Sequence, residues 1–334
     1  MESNSIRKEL DHPSSRVDEA GEERPSGTRL RLGTRGSALA RWQAEWVSAQ
    51  LQSLGVDVEL ILITTQGDAS SQPLGAIGGQ GVFTKEIQRA LLDDRIDVAV
   101  HSLKDLPTEP VDGLTLAAVP EREGNQDVLV CREAESLDAL PKGARIGTGS
   151  SRRRAQLLYH RADLQVEDIR GNVETRLRKL ADGQFEAIVL AQAGLRRLEL
   201  EQHVTQTLPR SLMLPAVGQG ALGIESRDDD DRTRQLLSPL DHAETRAAVL
   251  AERSMLYALR AGCLAPVGAW GRIEDGQLQL DGVVLSPDGA RRLAVSVSGS
   301  MADAVDLGAE AARRLLADGA AELISASRGQ SSLS

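Results

Sequence analysis

Short apolar runs alternate with segments of helical period along most of this chain, and that alternation limits its fold more than any other feature. Residues 30–32, 58–64, 96–100, 114–119, 127–131, 144–148 and 165–169 have the length and side-chain types of strands. The run 187–195 (AIVLAQAGL) has the length of a buried strand, and the strand itself is expected over 187–191. Between these runs, 38–54, 83–92, 152–161 and 173–182 repeat apolar residues at helical spacing, as Ile87, Leu91 and Leu92 do. Most of these strands, though not 30–32, are apolar rather than strictly alternating, which is what a sheet covered on both faces requires. The expectation is α/β layers with mostly parallel sheets. Near residue 240 the pattern changes. A helix over 242–260 precedes two alternating runs, 278–285 and 292–297, joined by the turn residues Ser286-Pro287-Asp288-Gly289, and a helix over 301–318 follows. This reads as a small α+β unit.

At roughly 150 residues per domain, 334 residues suit two or three domains. No apolar run approaches the roughly 20 residues that span a bilayer, so no membrane partner is expected. The 39 Lys and Arg against 49 Asp and Glu leave −10, and there are three Trp, two Tyr and two Phe. An acidic chain with so few stacking platforms is not expected to bind nucleic acid. Residues 1–27 hold seven acids, four bases and no apolar stretch, so they read as a disordered tail and not a targeting signal. Cys131 and Cys263 form no CxxC pair, which favours a reducing, cytoplasmic setting. The five histidines show no HxxxH spacing, so no metal site is expected. Glycines at 67, 75, 78, 79 and 81 predict a mobile loop.

Charge is distributed unevenly. Residues 142–200 hold twelve bases and seven acids, a local +5 in a chain of −10. The bases sit just after predicted strands, at Arg152-Arg153-Arg154, Arg170, Arg176 and Arg196-Arg197. Ligands of open α/β sheets bind at the carboxyl ends of strands, and arginine clamps carboxylates and phosphates with two parallel bonds. A polyanionic small-molecule site is one reading, and a solvated basic face with ion pairs along its helices is the other. Gly147-Thr148-Gly149-Ser150-Ser151-Arg152 opens a helix after a strand, which suits either an anion cradle or an ordinary serine cap. Lys104-Asp105 at a strand end suits a tuned general acid or a simple turn. Cys263, between Gly262 and Pro266, reads as an accessible loop thiol, whereas Cys131 ends an apolar strand and reads as packing.

Seven segments occurring in one order join these signals: RLGTRGSALARWQA (31–44), DVAVHSLKDLP (97–107), GTGSSRRRAQL (147–157), IRGNVETRLRKL (169–180), LAQAGLRRL (190–198), LPAVGQGALGIE (214–225) and AGCLAPVG (261–268). In these the chain resembles the porphobilinogen deaminase (hydroxymethylbilane synthase) family. The resemblance implies two α/β domains like periplasmic binding proteins around a cleft, 28–120 with 221–238 and 121–220, and a small α+β domain, 239–334. It implies a dipyrromethane cofactor on Cys263 through a thioether. Four porphobilinogen units would be joined to it head to tail with loss of ammonia, and hydrolysis would release the linear tetrapyrrole. A monomer acting on this small molecule is expected.

Asp105 would protonate the leaving amine and steady the resulting cation, with Lys104 and Ser102 beside it. Arg35, Ser37, Ser102, Lys104, Asp105, Ser150, Arg152, Arg153, Arg170 and Gly171 would surround the cofactor. Arg35, Gln43, Arg170, Arg176, Arg197 and Gln219 would meet the substrate. The chain departs from the family pattern at Gln80 for a usual Lys, Gly149 for Ser, Ser151 for Leu and Ala261 for Gly. Competing readings are a two-domain anion receptor without chemistry and a regulatory effector-binding domain. The first needs neither Cys263 nor Asp105, and the second needs a DNA-binding helix pair before residue 30.

Overall fold

The computed structural model describes residues 29–65, 81, 84–262 and 265–330. The tail 1–27, the 67–81 loop except Gly81, Gln80, the start of the 83–92 helix and Cys263 lie outside the described residues. The first part of the chain runs β1 (Arg29–Thr34), α1 (Ala38–Ser53), β2 (Asp57–Leu62), α2 (Lys85–Leu92), β3 (Val98–Ser102) and β4 (Leu114–Ala118). Next come β5 (Asp127–Cys131), β6 (Arg145–Gly147), α3 (Ser151–His160), β7 (Gln165–Glu167), α4 (Val173–Ala181), β8 (Ala187–Ala191), α5 (Gln192–Arg197) and β9 (Gln206–Thr207). The rest is β10 (Leu222–Arg227), α6 (Asp231–Leu237), α7 (Ala243–Ala258), β11 (Val267–Glu274), β12 (Gln277–Leu285), β13 (Arg292–Gly299), α8 (Ala304–Ala317) and α9 (Ala320–Gln330).

Two five-stranded sheets share one plan: β2-β1-β3-β10-β4 and β7-β6-β8-β5-β9. In each, the first three strands are parallel and the fourth is antiparallel to both neighbours. The expectation of mostly parallel sheets therefore holds for only half of each. The antiparallel strand is the one arriving from the other sheet: β5 follows β4, and β10 follows β9. The expected strand 187–191 is β8. β8 pairs with β5 only as far as Ala191, and beyond it Gln192 donates its N–H to Gln126 O (3.0 Å) and a helix begins.

Both faces of each sheet are covered, which explains the continuous apolar runs. In the second sheet Val128, Val130, Ile188 and Leu190 pack toward Ile169, Leu180 and Phe185. Their neighbours Leu129, Ala187 and Val189 pack the other way, toward Ile146, Leu157 and Val166. The third unit is the antiparallel sheet β11-β12-β13 with α7 and α8, built on Met255, Leu280, Ala311 and Leu315. The expected hairpin is β12–β13, with Leu285 opposite Arg292, and the expected 301–318 helix is a 3₁₀ turn (Met301–Asp303) followed by α8.

Two segments, around 119–126 and 214–221, cross between the sheets. Gly220 sits at φ +86°, and a Cβ there would lie 2.4 Å from Glu123 O, so only glycine fits. Glu252 of α7 is fully buried beside this crossing. It accepts from Arg122 Nη1 (2.7 Å), Gly218 N (2.7 Å) and Gly271 N (2.8 Å), tying the crossing to the third unit. A buried carboxylate survives because each lone pair has a donor.

Candidate active site

The carboxyl ends of β1 and β3 form one wall of a cleft. After β1, Arg35-Gly36-Ser37 turns the chain into α1, and Ser37 caps that helix by accepting from Ala40 N (3.4 Å). After β3, Ser102 leads into a single 3₁₀ turn, Leu103–Asp105. Leu103 is buried and donates its N–H to Ala221 O (3.0 Å), anchoring the turn to the strand crossing. Arg253 of α7 donates to Leu106 O (3.0 Å) and Pro107 O (2.7 Å) on its far side. The turn's backbone is therefore held at both ends, leaving half-buried Asp105 facing the cleft. A pocket brings together Arg35, Ser37, Gln43, Thr84, His101, Ser102 and Asp105. Gln43 is buried and donates from Nε2 to Ser102 Oγ (2.8 Å).

Arginines arm the opposite wall. Ser150 caps α3 by accepting from Arg153 N (3.4 Å). Gly149 lies tight against Asp168, where an added Cβ would sit 3.0 Å from Oδ1. Half-buried Arg170 donates from Nε to Asp168 (2.7 Å). Gly171, at φ +110°, turns its carbonyl to accept from Arg176 Nε (2.8 Å). Burial lowers the Arg176 guanidinium to about 10; Arg153 and Arg170 push the same way, while Asp168 and Asp105 oppose. Burial also lowers Lys104, to about 8, with Asp105 and Asp127 opposing and Arg153 and Arg152 adding to the fall. The Lys104 side chain itself is exposed to water. Each of these cations feels charges from both sheets, so the two walls face one another closely.

Three expected ligand-binding residues lie beneath this surface. Arg152 and Arg153 are 4% and 6% exposed. Arg152 Nη1 donates to Asp127 Oδ2 (2.7 Å) and Leu214 O (2.7 Å), and Arg153 Nε donates to Asp127 Oδ1 (2.8 Å). Burial works against the Asp127 charge, but the two guanidiniums and a Gln219 hydrogen bond hold its carboxyl at about 2. Gln219 is 1% exposed and spends its amide on Asn125 O (2.8 Å) and Asp127 (3.1 Å). In this conformation these residues organise the cleft floor and do not open onto it. Two cations share one anion, so the floor keeps one excess positive charge. Arg197, 8% exposed, donates to Gly220 O (2.8 Å) and lies over the Trp42 ring (5.7 Å).

Several residues here carry no signal in a linear reading. His101 Nε2 stands 2.9 Å from Glu225 Oε2, and Gln88 donates to the same carboxylate (3.2 Å), a buried trio behind the pocket. His101 and Glu225 lie within the quoted segments 97–107 and 214–225, but nothing in sequence spacing pairs them. Cys131 ends β5 half-buried, with burial raising its thiol pKa. On either side of position 263, Ala261 and Ala265 are buried, and Ala265 N donates to Gly262 O (3.0 Å).

The family profile described as "Porphobilinogen deaminase, dipyromethane cofactor binding domain" matches residues 30–235, and that described as "Porphobilinogen deaminase, C-terminal domain" matches 246–317. The chain is 52% identical over 298 residues to the porphobilinogen deaminase of Acidithiobacillus ferrooxidans, covering 88% of this chain and 97% of that one. It is 47% identical over 304 residues to that of Syntrophotalea carbinolica, covering 90% and 96%. Among solved structures, the periplasmic aliphatic sulphonate binding protein SsuA from Escherichia coli aligns at TM-score 0.38 and 12% identity, covering 70% of this chain and 71% of that one.

Proposed function

The chain belongs to the porphobilinogen deaminase family, and from that premise we propose how its own residues perform the family's reaction. The enzyme is a transferase of tetrapyrrole biosynthesis. It condenses four porphobilinogen molecules head to tail with loss of ammonia and releases hydroxymethylbilane by hydrolysis. The dipyrromethane cofactor, when bound, supplies the primer that the growing chain extends. The charges of the cleft fit such a group: it bears carboxylates, and the two walls bring Lys104, Arg170 and Arg176 together above the buried Arg153.

Asp105 acts as the general acid. Its carboxyl passes a proton to the amine nitrogen of the incoming porphobilinogen, and the carboxylate left behind steadies the cationic methylene-pyrrole formed as ammonia departs. Lys104 keeps the acid's surroundings positive. Ser102, oriented by Gln43, and Arg35 and Ser37 complete this wall around the reacting ring. Ser150, Arg170, Gly171, Arg176 and Arg197 hold acetate and propionate groups from the other side. Arg152, Arg153 and Gln219 support them from beneath by fixing the floor and its excess charge. Each added ring brings two more carboxylates, which gives the number of arginines a purpose. Cys263 carries the cofactor through its sulfur. The enzyme works as a monomer in the cytoplasm, which two thiols without a disulfide framework suit.

The observation that carries this reading is one carboxylate, Asp105, facing a group of cations drawn from both sheets. Intact mass tests it directly. Purified protein should carry a covalent increment of two linked pyrrole units, present in Cys131→Ser and missing from Cys263→Ser. The same mass in both variants would refute the attachment site, and an unmodified wild-type chain would refute the cofactor reading.

A further inference from the structure

A second cleft, of about 540 Å³, opens between the 210–214 segment and the sheet β11–β13. That space suits a small organic ligand. Its walls include Arg210, Leu214, Trp270, Val283, Arg292 and the carboxylate Asp281, which Arg272 engages, and none of these lines the pocket beside Asp105. The Trp270 ring lies between two guanidiniums, Arg272 at 3.8 Å and Arg210 at 4.0 Å. Two cations on one indole repel each other unless anions offset them. Arg272 has its anions: Glu274 accepts from Nε (2.7 Å) and Asp281 from Nη1 (2.7 Å). Arg210 has none among the described residues. Its Nη2 donates to the neutral Asn125 amide oxygen (2.5 Å), and its Nε is a buried donor without an acceptor. Burial lowers its pKa, with Arg122 and Arg272 adding to the fall and Glu252 opposing, as expected for a guanidinium short of a counter-charge. On the rim, exposed Arg292 also has no carboxylate partner among the described residues and lies over the Tyr159 ring (5.8 Å). Buried Leu214 and Val283 make the apolar part of the lining.

We infer that this cleft binds a small organic anion with a flat apolar body and two oxyanion groups, held between Arg210 and Arg292. Its two walls belong to the second sheet's domain and the third unit, so the occupant bridges them. A half-buried arginine short of an anion, a second cation on the rim and an apolar lining together select for this chemistry.

The test titrates ¹⁵N-labelled, cofactor-loaded protein with isophthalate and follows the indole signals of its three tryptophans, with Trp270 assigned through Trp270→Phe. The Trp270 signal should move saturably with one site per chain. Arg292→Gln should weaken binding about fivefold and Arg210→Gln at least about tenfold, in line with loss of a charge-assisted pair. Arg292 stands exposed on a strand, so its variant keeps the test valid even if Arg210→Gln fails to fold. Pyrophosphate, charge without an apolar body, should bind at least fivefold more weakly, and equal affinity would contradict the proposed body. A Trp270 signal static at roughly 10 mM isophthalate overturns the site. So does movement confined to Trp42, which lies beside Arg197 and would place the probe at the catalytic cleft.

Discussion

The two five-stranded sheets have the same strand order and opposite tasks. In the first, the strand ends carry Asp105 with Ser102, Ser37 and the pocket around them. In the second, equivalent ends carry arginines, and the prominent acid, Asp127, is sealed under two of them. One topology thus supplies two sets of positions. On the proposed roles, the residues in the end loops decide that one wall moves protons while the other holds negative charge. The same side chain, aspartate, is assigned the chemistry in the proposed reaction when it lies in the first sheet and a structural part in the second, because Asp105 is half-buried in the cleft wall and Asp127 has no exposure at all.

Identical substitutions should therefore have opposite effects. Asp105→Asn is expected to keep melting unchanged and to lower turnover by about 10²–10⁴-fold, the usual loss for a general acid. Turnover within threefold of wild type would take Asp105 out of the reaction. Asp127→Asn is expected to cost about 3–5 kcal/mol of stability, because two buried guanidiniums lose their anion. Chemical denaturation measures this, and an unchanged midpoint would contradict the role given to the cleft floor. The Asp127 carboxyl titrates lower in the folded chain than when unfolded. Its contribution is therefore full above about pH 4 and is lost as pH falls toward 2. Acid unfolding in that window should be blunted in Asp127→Asn.

Smaller effects sharpen the contrast. Arg170→Leu and Arg176→Leu each remove a clamp worth about 1–3 kcal/mol, so elongation should stall with one to three extra rings while the fold persists. Normal product distributions from both variants would break the division of labour. The smallest effect concerns Lys104. With its pKa lowered to about 8, roughly half of it is free amine at pH 8, against about 1% or less of an ordinary lysine. Brief acylation at pH 8 followed by peptide mapping should label Lys104 ahead of exposed Lys142. Equal labelling would show that Lys104 is not crowded by the opposite wall.

Much of this arrangement can be read from the residues in line. Strands covered on both faces show as continuous apolar runs, as in 127–131, and the serine caps Ser37 and Ser150 stand where a strand gives way to a helix. The antiparallel β10 is hidden because its residues 222–227 follow a glycine-rich crossing and choose partners in a sheet more than a hundred residues earlier. The strand 187–191 ends where the sequence places its end, although the apolar run continues to Leu195. What ends the strand is loss of its partner, a tertiary event. Arg152 and Arg153 look like surface cations because arginines usually are. Their burial depends on Asp127, some 25 residues upstream, and on Gln219 from the returning chain. The His101–Glu225 contact is similarly a product of β3 pairing with β10.

The division between a chemical wall and a holding wall is tested most directly by intact-mass spectra taken after brief exposure to porphobilinogen. Cofactor-loaded Asp105→Asn should show the unextended species alone, because no amine leaves without the acid. Arg176→Leu should accumulate species with one to three extra rings, because rings are joined but the longer chain is poorly held. A ladder of extended species from Asp105→Asn, or a wild-type distribution from Arg176→Leu, would contradict it.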